Sequence, residues 1–464
     1  MIPRTRKGRL LVAAAIAAIV IAAAAGAWVL SHDRPGDVTN ADVAFEEPAT
    51  TTPPAPPTGD EGHFEWPFYG FDAARTNDFP LRRNVRPPFK LRWAVRGRVL
   101  LEFGPVAGAS SLYLLKNNGA LYAIKRRTGV VAWKEKLGHL AASSPAYHRG
   151  RLYVTILQRG KRIRKGSIVA MAARRGTVLW TRLLPSRTES SPLVIGRTLY
   201  AGSENGTVYA LRISDGAVRW TYRAGGAVKG GLAYSDGKLY FGDYRGGVHA
   251  VWARSGRRAW RVSAAGGAFG LGAGRFYATP AVRFGRVYLG NTNGTVSSFS
   301  TRDGKLAWRK GTGDYVYSSA AVGTPPGAGP TVYVGSYDGT LYALDARNGR
   351  VRWTHRAEGR ISGAVQIVGD LVFYSTLNHF TTALGAATGR RIWTVGRGMF
   401  NPVISDGRYL FLNGSTSIFA YDMRPGDRPV RARPGDRPDI RRKRLARERA
   451  RERARQHPRA EPAR

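Results

Sequence analysis

Two glutamates, a lysine and two tyrosines hold matching places in this sequence. The motifs SSPAY, SSPLV, ATPAV and SSAAV recur along it, and aligning them puts Glu102, Glu189, Lys229, Tyr277 and Tyr317 three residues before the Pro or its counterpart. Two residues further back come Arg187, Arg275, Tyr315 and Arg397, with Arg360 nearby. Gathered at one level, Arg187, Arg275, Arg360 and Arg397 could grip an anionic or polar ligand through bidentate hydrogen bonds. Tyr277, Tyr315 and Tyr317 would be stacking surfaces and Glu102 and Glu189 acceptors. The two carboxylates and Asn401 could be imagined around a hard cation, but they come from distant parts of the chain and form no spaced motif. An arginine-rich surrounding also disfavours a cation, and no metal site is predicted. The chain has no cysteine, which excludes disulfides, thiolate catalysis, Cys metal ligands and a lipid-bearing Cys. A second basic cluster, Arg159, Lys161, Arg162, Arg164 and Lys165 in QRGKRIRKGS, reads as a docking finger for an anionic partner or as a solvated loop.

These residues must be positioned by the repeat that contains them, seen most cleanly at Thr331 to Trp353, TVYVGSYDGTLYALDARNGRVRW. Short β-branched and aromatic runs alternate in period two, and Asp-Gly and Asn-Gly pairs supply the positive φ of tight turns. The unit is a β-meander ending on a Trp. It returns at Trp93, Trp133, Trp180, Trp220, Trp260, Trp308, Trp353 and Trp393, at spacings of 40 to 48 residues, the period of a four-stranded propeller blade. Trp93 follows no hairpin, while the last hairpin, Tyr409 to Asp422, has no Trp strand after it. The segment around Leu91 to Val95 should therefore pair beside that hairpin and seal a ring of eight blades, leaving no open edge. The predicted fold is all-β, an eight-bladed β-propeller of four-stranded antiparallel sheets.

The segments LYAIKRRTG, VYALRISDG, VHAVWARSG and LYALDARNG, each leading to a Trp, resemble the blade signature LYALDxxTGxxxW of the PQQ-repeat propellers. The lead-in WPFYGFDAARTN, Trp66 to Asn77, is similar to the stretch that often precedes the first blade in that family. The resemblance implies that each signature Trp docks between neighbouring blades. It also implies two possible callings, because the family holds quinoprotein alcohol dehydrogenases and catalytically silent scaffolds resembling BamB. Its enzymes use a carboxylate base and a Ca²⁺ held by Glu, Asn and Asp, many with a disulfide of neighbouring cysteines, and that disulfide is impossible here. PQQ and Ca²⁺ are thus not predicted, though the repeat does not exclude them.

Outside the repeat, residues 1–9 form a basic flank and residues 10–30 an apolar run, long enough at about 1.5 Å per residue to cross roughly 30 Å of hydrocarbon. It is expected to be a transmembrane or signal helix that keeps the basic flank cytoplasmic and exports the rest. Residues 31–62, acidic and rich in Thr and Pro, are expected to be a spacer with nothing to bury, and 63–423 the propeller. The Gly-rich stretch Ser263 to Gly274 lacks the Lys-Ser/Thr of a phosphate loop and reads as an inter-blade loop. The tail, 424–464, holds sixteen Lys or Arg against six acids without an apolar face, and is expected to be disordered.

The formal charge of +42 favours anionic partners, although an Arg-, Ala- and Gly-rich composition is also what a GC-rich coding sequence gives. The expected protein is a membrane-anchored, monomeric, non-catalytic scaffold or sensor outside the cytoplasm, or a secreted one if the helix is cleaved. It would bind an envelope protein or an anionic envelope polymer, with nucleic acid the least favoured partner. A receptor for a small anionic or sugar ligand in the central funnel is the second reading, and a PQQ-dependent dehydrogenase the third.

Overall fold

The computed structural model describes residues 35–47, 65–81, 84–264 and 272–423. The apolar run, most of the expected spacer, the centre of the Gly-rich loop and the basic tail lie outside these residues. Among the described residues no helix is long and apolar enough to cross a membrane.

Eight four-stranded antiparallel units surround one axis. Blades 1 to 7 span 106–136, 146–183, 193–223, 233–263, 281–311, 321–356 and 366–395. Blade 3 shows the pattern, with a short axial strand Leu193–Ile195 followed outward by Thr198–Gly202, Thr207–Arg212 and Val218–Arg223. The second strand is buried throughout because both its faces meet other blades, while the outermost alternates exposed and half-buried residues. Blade 8 takes three strands from the end of the described chain and its fourth, Lys90–Val95, from the beginning. Trp93 sits opposite Ala420, and Arg92 ties the seal through Asp422 at 2.7 Å. Closure is as the unpaired Trp93 predicts.

The signature follows from the contact between blades. Trp93, Trp133, Trp180, Trp220, Trp260, Trp308 and Trp353 each donate Nε1 to a carbonyl in the third-to-fourth-strand turn of the next blade, at 2.9 to 3.1 Å. The Gly of that turn lies flat on the ring. At Gly349, φ is +74° and an added Cβ would stand 2.7 Å from the Trp308 ring, so both the turn and the packing require glycine. Trp393, whose next blade ends after three chain-terminal strands, packs instead on Phe89 and Tyr421.

Antiparallel strands put the second-to-third-strand loops and the blade-to-blade crossings on one face of the disc, and the other turns on the opposite face. We refer to them as the crossing face and the turn face.

The axis is filled by the lead-in. Each innermost strand turns an unpaired edge toward the channel, and buried N–H groups need acceptors. Residues 66–77 supply them as they wind past: Ala107, Tyr147, Tyr234, Val282, Val322 and Ile367 donate to the carbonyls of Trp66, Pro67, Ala73, Ala74, Thr76 and Asn77, at 2.8 to 2.9 Å. Blade 3 is engaged through the Arg75 side chain instead, which donates to the Ser191 and Pro192 carbonyls. Asp78–Phe79 then adds a parallel strand to blade 7.

The expected spacer differs from the structure over 35–47. Val38–Thr39 adds a fifth strand to the outer edge of blade 5, opposite Arg309 and Trp308. The segment enters at the crossing face, where Asp37 meets Lys310 and Gly311, and descends to the turn face, where Glu47 pairs with Arg347 at 2.5 Å. Val43 is buried, and Phe45 packs on Phe284 with the Arg347 guanidinium 5.2 Å from its ring. Composition concealed this because two strand residues and two apolar anchors suffice when an open edge is waiting. Phe45→Ala is expected to cost about 1–2 kcal/mol, as a half-buried aromatic contact; a guanidinium titration of the full-length chain in detergent would show it, and an unchanged midpoint would mean that the strap is not docked.

Candidate functional site at the axial mouth

Above the lead-in, the blade crossings enclose a cavity of about 40 Å³ lined by Glu102, Glu189, Lys229, Tyr277, Tyr317 and Asn401, with Tyr69 of the lead-in beneath. The five residues aligned in sequence thus meet at one level. They do so because each crossing enters its axial strand in the same conformation, so equal offsets from the strand start reach equal depth. Ser362 of blade 7 lies there too. It was missed because that blade reads SGAV, with Val365 where most others have Pro.

The polar groups here are engaged with one another. Lys229 Nζ lies 2.8 Å from Glu189 and 3.0 Å from Glu204. Burial, and then a hydrogen bond shared with Glu204, push the Glu189 carboxyl above its ordinary value. Burial also opposes ionisation of Glu204, but hydrogen bonds from Glu189 and Lys229 outweigh it and hold that carboxyl low. The two carboxyls thus face one ammonium and are pushed in opposite directions, Glu189 up and Glu204 down. Glu102 accepts from Asn117 at 3.0 Å, while Asn401 donates to the Glu102 carbonyl at 2.7 Å and accepts from Ala364 N–H at 3.2 Å.

The expected arginines do not converge on this cavity. Two residues earlier on the loop, Arg187 and Arg397 turn onto their own blades, and Arg275 and Arg360 onto the preceding one. Arg187 reaches Glu204 at 3.4 Å, and Arg397 donates to the Tyr421 hydroxyl at 2.6 Å with its guanidinium over Phe419. Arg275 lies over the Tyr244 ring and Arg360 over that of Tyr337.

An arc of tyrosines replaces the expected ring of guanidinia. Tyr244 contacts Tyr277 at 6.4 Å between ring centres, Tyr277 contacts Tyr317 at 5.7 Å, and Tyr317 contacts Tyr337 at 5.0 Å, with half-exposed Tyr315 against the last two. Burial pushes the Tyr277 hydroxyl far up and that of Tyr244 to about 12, so these groups act as neutral donors at any physiological pH. Tyr244 and Tyr337 come from second-to-third-strand loops; the signal was an aromatic inside the turns DYRGG and SYDGT. The finger residues Arg159, Lys161, Arg162, Arg164 and Lys165 stand on the corresponding loop of blade 2, Lys161 to Lys165 exposed, on the same face as the arc. Among the described residues no carboxylate pairs with them.

A sealed ring of eight meanders around a plugged axis defines an eight-bladed β-propeller, with aromatic and basic loops gathered on one face. The chain belongs to the PQQ-repeat family: the model described as outer membrane protein assembly factor BamB matches residues 86–227, 223–322 and 313–434. A comparison with curated proteins finds no match. Among solved structures, BamB from Moraxella catarrhalis is 16% identical with a TM-score of 0.59, over 74% of this chain and 100% of that one. The quinohemoprotein alcohol dehydrogenase ADHIIG from Pseudomonas putida HK5 is 15% identical with a TM-score of 0.65, over 82% of each chain. A europium-containing methanol dehydrogenase is 13% identical with a TM-score of 0.63, over 78% of this chain and 98% of that one. At these identities the likeness is one of fold.

Proposed function

We propose that this chain is an exported, membrane-anchored propeller acting as a non-catalytic scaffold or sensor, which holds an envelope protein or anionic polymer against its crossing face. One observation carries the reading: the axial cavity, about 40 Å³, is closed beneath by residues 66–77. That is room for a few waters, whereas pockets for small molecules and cofactors run to several hundred Å³. The donor set does not fit a quinone's divalent cation either. Glu189 is committed to Lys229, and both ends of the Asn401 amide are already bonded, while such an ion needs six to eight free oxygens.

What supports partner binding is the tyrosine arc, since tyrosine and arginine dominate the energetic centres of protein interfaces. The strap sharpens the picture. Pro35 leaves the propeller beside the crossing-face end of blade 5, and four residues separate it from the apolar run. At no more than about 3.6 Å per residue, the five steps from Leu30 to Pro35 reach roughly 18 Å. On this reading the arc faces the membrane surface, and the partner is met there.

A photoreactive residue at Tyr315 of the full-length chain in cells is expected to crosslink one predominant protein or polymer, identified by mass spectrometry. A photoreactive residue at Arg174, on the turn face, should not. The reverse outcome would refute the assignment of faces. Incubation with PQQ and Ca²⁺ is expected to give neither a stoichiometric quinone spectrum nor dye-linked alcohol oxidation, and seeing both would restore the enzyme reading.

A further inference from the structure

On the turn face, between blades 2 and 3, lies an open groove of about 700 Å³ lined by Arg149, Arg151, Arg197, Arg212, Arg219 and Tyr153. Arg212 pairs with Asp215 at 2.5 Å; the other four arginines have no carboxylate within salt-bridge distance among the described residues. Like charges held together on rigid strands repel and keep their donors unspent, which is a cost unless an anion is gathered there.

The repeat provides an internal comparison. Tyr200, Tyr240, Tyr288 and Tyr333 stand at the place of Tyr153 in blades 3 to 6, and each hydroxyl donates to the turn carbonyl of the following blade, at 2.8 to 3.4 Å. Tyr153 is fully buried, yet its hydroxyl meets no such carbonyl and lies instead beside the Arg151 guanidinium of the groove. The turn after the axial strand varies among the blades. Blade 8 has Asp406 there, bonded to Arg126 of blade 1 at 3.0 Å, whereas blade 2 has Arg149 facing the arginines of blade 3. Arginine codon bias explains many arginines, but not the loss of the Tyr153 hydroxyl's carbonyl acceptor at the junction where they gather.

We propose that this groove binds a multiply phosphorylated anion. Guanidinium forks match phosphate oxygens bidentately, and the Tyr153 hydroxyl adds a buried neutral donor. The volume accommodates several phosphates in a row rather than one. This site is separate from the axial mouth and stands or falls without the scaffold reading.

Calorimetry on the full-length chain in detergent at physiological salt, with sodium tripolyphosphate as probe, should give one site per chain, with orthophosphate at least about tenfold weaker. Reversing Arg149→Glu together with Arg197→Glu should weaken tripolyphosphate by about 30-fold or more. Tyr153→Phe, which keeps the packing, should weaken it about 3- to 10-fold with the denaturation midpoint unchanged. Arg254→Glu with Arg257→Glu, exposed on the turn of blade 4, should change it less than about twofold and so measures general charge attraction. A loss in the blade 4 variant equal to that in the groove variant, or no binding by the parent chain, would overturn the proposal. Vesicles of phosphatidylcholine containing phosphatidic acid form the second arm: displacement of bound probe assigns the phosphates to lipid headgroups, and retention assigns them to a soluble or polymeric phosphate.

Discussion

Arg75→Ala is expected to destabilise the propeller by at least about 3–5 kcal/mol, because it removes the one side chain that ties the axial lead-in to blades 3 and 4. The guanidinium is fully buried and donates to the carbonyls of Tyr69 at 2.6 Å, Leu232 at 2.9 Å, Pro192 at 3.1 Å and Ser191 at 3.2 Å. Burial lowers its pKa only to about 10, so it remains charged at neutral pH. Alanine would leave these four acceptors without that donor, and Asp72 with only Arg283 as a nearby positive charge. Lysine restores charge but not the planar fork, and should recover less than half of the loss. Guanidinium titration of the full-length chain tests the first expectation. Hydrogen exchange of the Tyr234 and Val282 amides, which donate to Ala73 and Ala74, tests whether the axis opens. A cost below about 1 kcal/mol with those amides still protected would show that the lead-in does not depend on Arg75.

Asp243→Ala is expected to cost a similar amount, about 3–5 kcal/mol, and to flatten the acid limb of the stability profile. One fully buried carboxylate organises a whole loop of blade 4. It accepts from the backbone N–H of Gly225, Gly226, Arg245 and Gly247 and from His249 Nε2 at 2.9 Å. His249 Nδ1 in turn accepts from the Tyr222 hydroxyl at 3.0 Å. Burial alone would raise the Asp243 pKa, but the His249 hydrogen bond and the backbone donors override it and bring it down to about 2. A folded pKa below the ordinary 3.8 means that the stabilisation is complete above about pH 4–5 and disappears as pH falls through about 2. Its size is about 2–3 kcal/mol. The parent chain should therefore lose stability between pH 4 and pH 2 more steeply than the variant, and parallel curves would assign the acid sensitivity elsewhere. Asparagine is no rescue, since its amide would aim donors at backbone donors.

The parts of the site legible beforehand were those tied to the repeat. Glu102, Glu189, Lys229, Tyr277 and Tyr317 share an offset from the axial strand, and equal offsets on equivalent strands give equal depth. Arg187, Arg275, Arg360 and Arg397 share an offset too, but a long side chain on the outer part of a loop is settled by its nearest partner, here Glu204, Tyr244, Tyr337 and the Tyr421–Phe419 pair. The groove at Arg149 was invisible because its two halves lie about fifty residues apart and meet only across a blade junction.

The amino-acid order alone determined the number of blades, the glycine turns between strands and the sealing of the ring by the strand around Trp93, since each follows from local alternation, turn chemistry and period. Only the tertiary structure decided that residues 66–77 plug the axis, that residues 35–47 strap blade 5, and that the arginines stay off the mouth. Those segments carry little pattern of their own. Their conformations are imposed by unpaired strand edges and buried donors that come into being once the ring has closed.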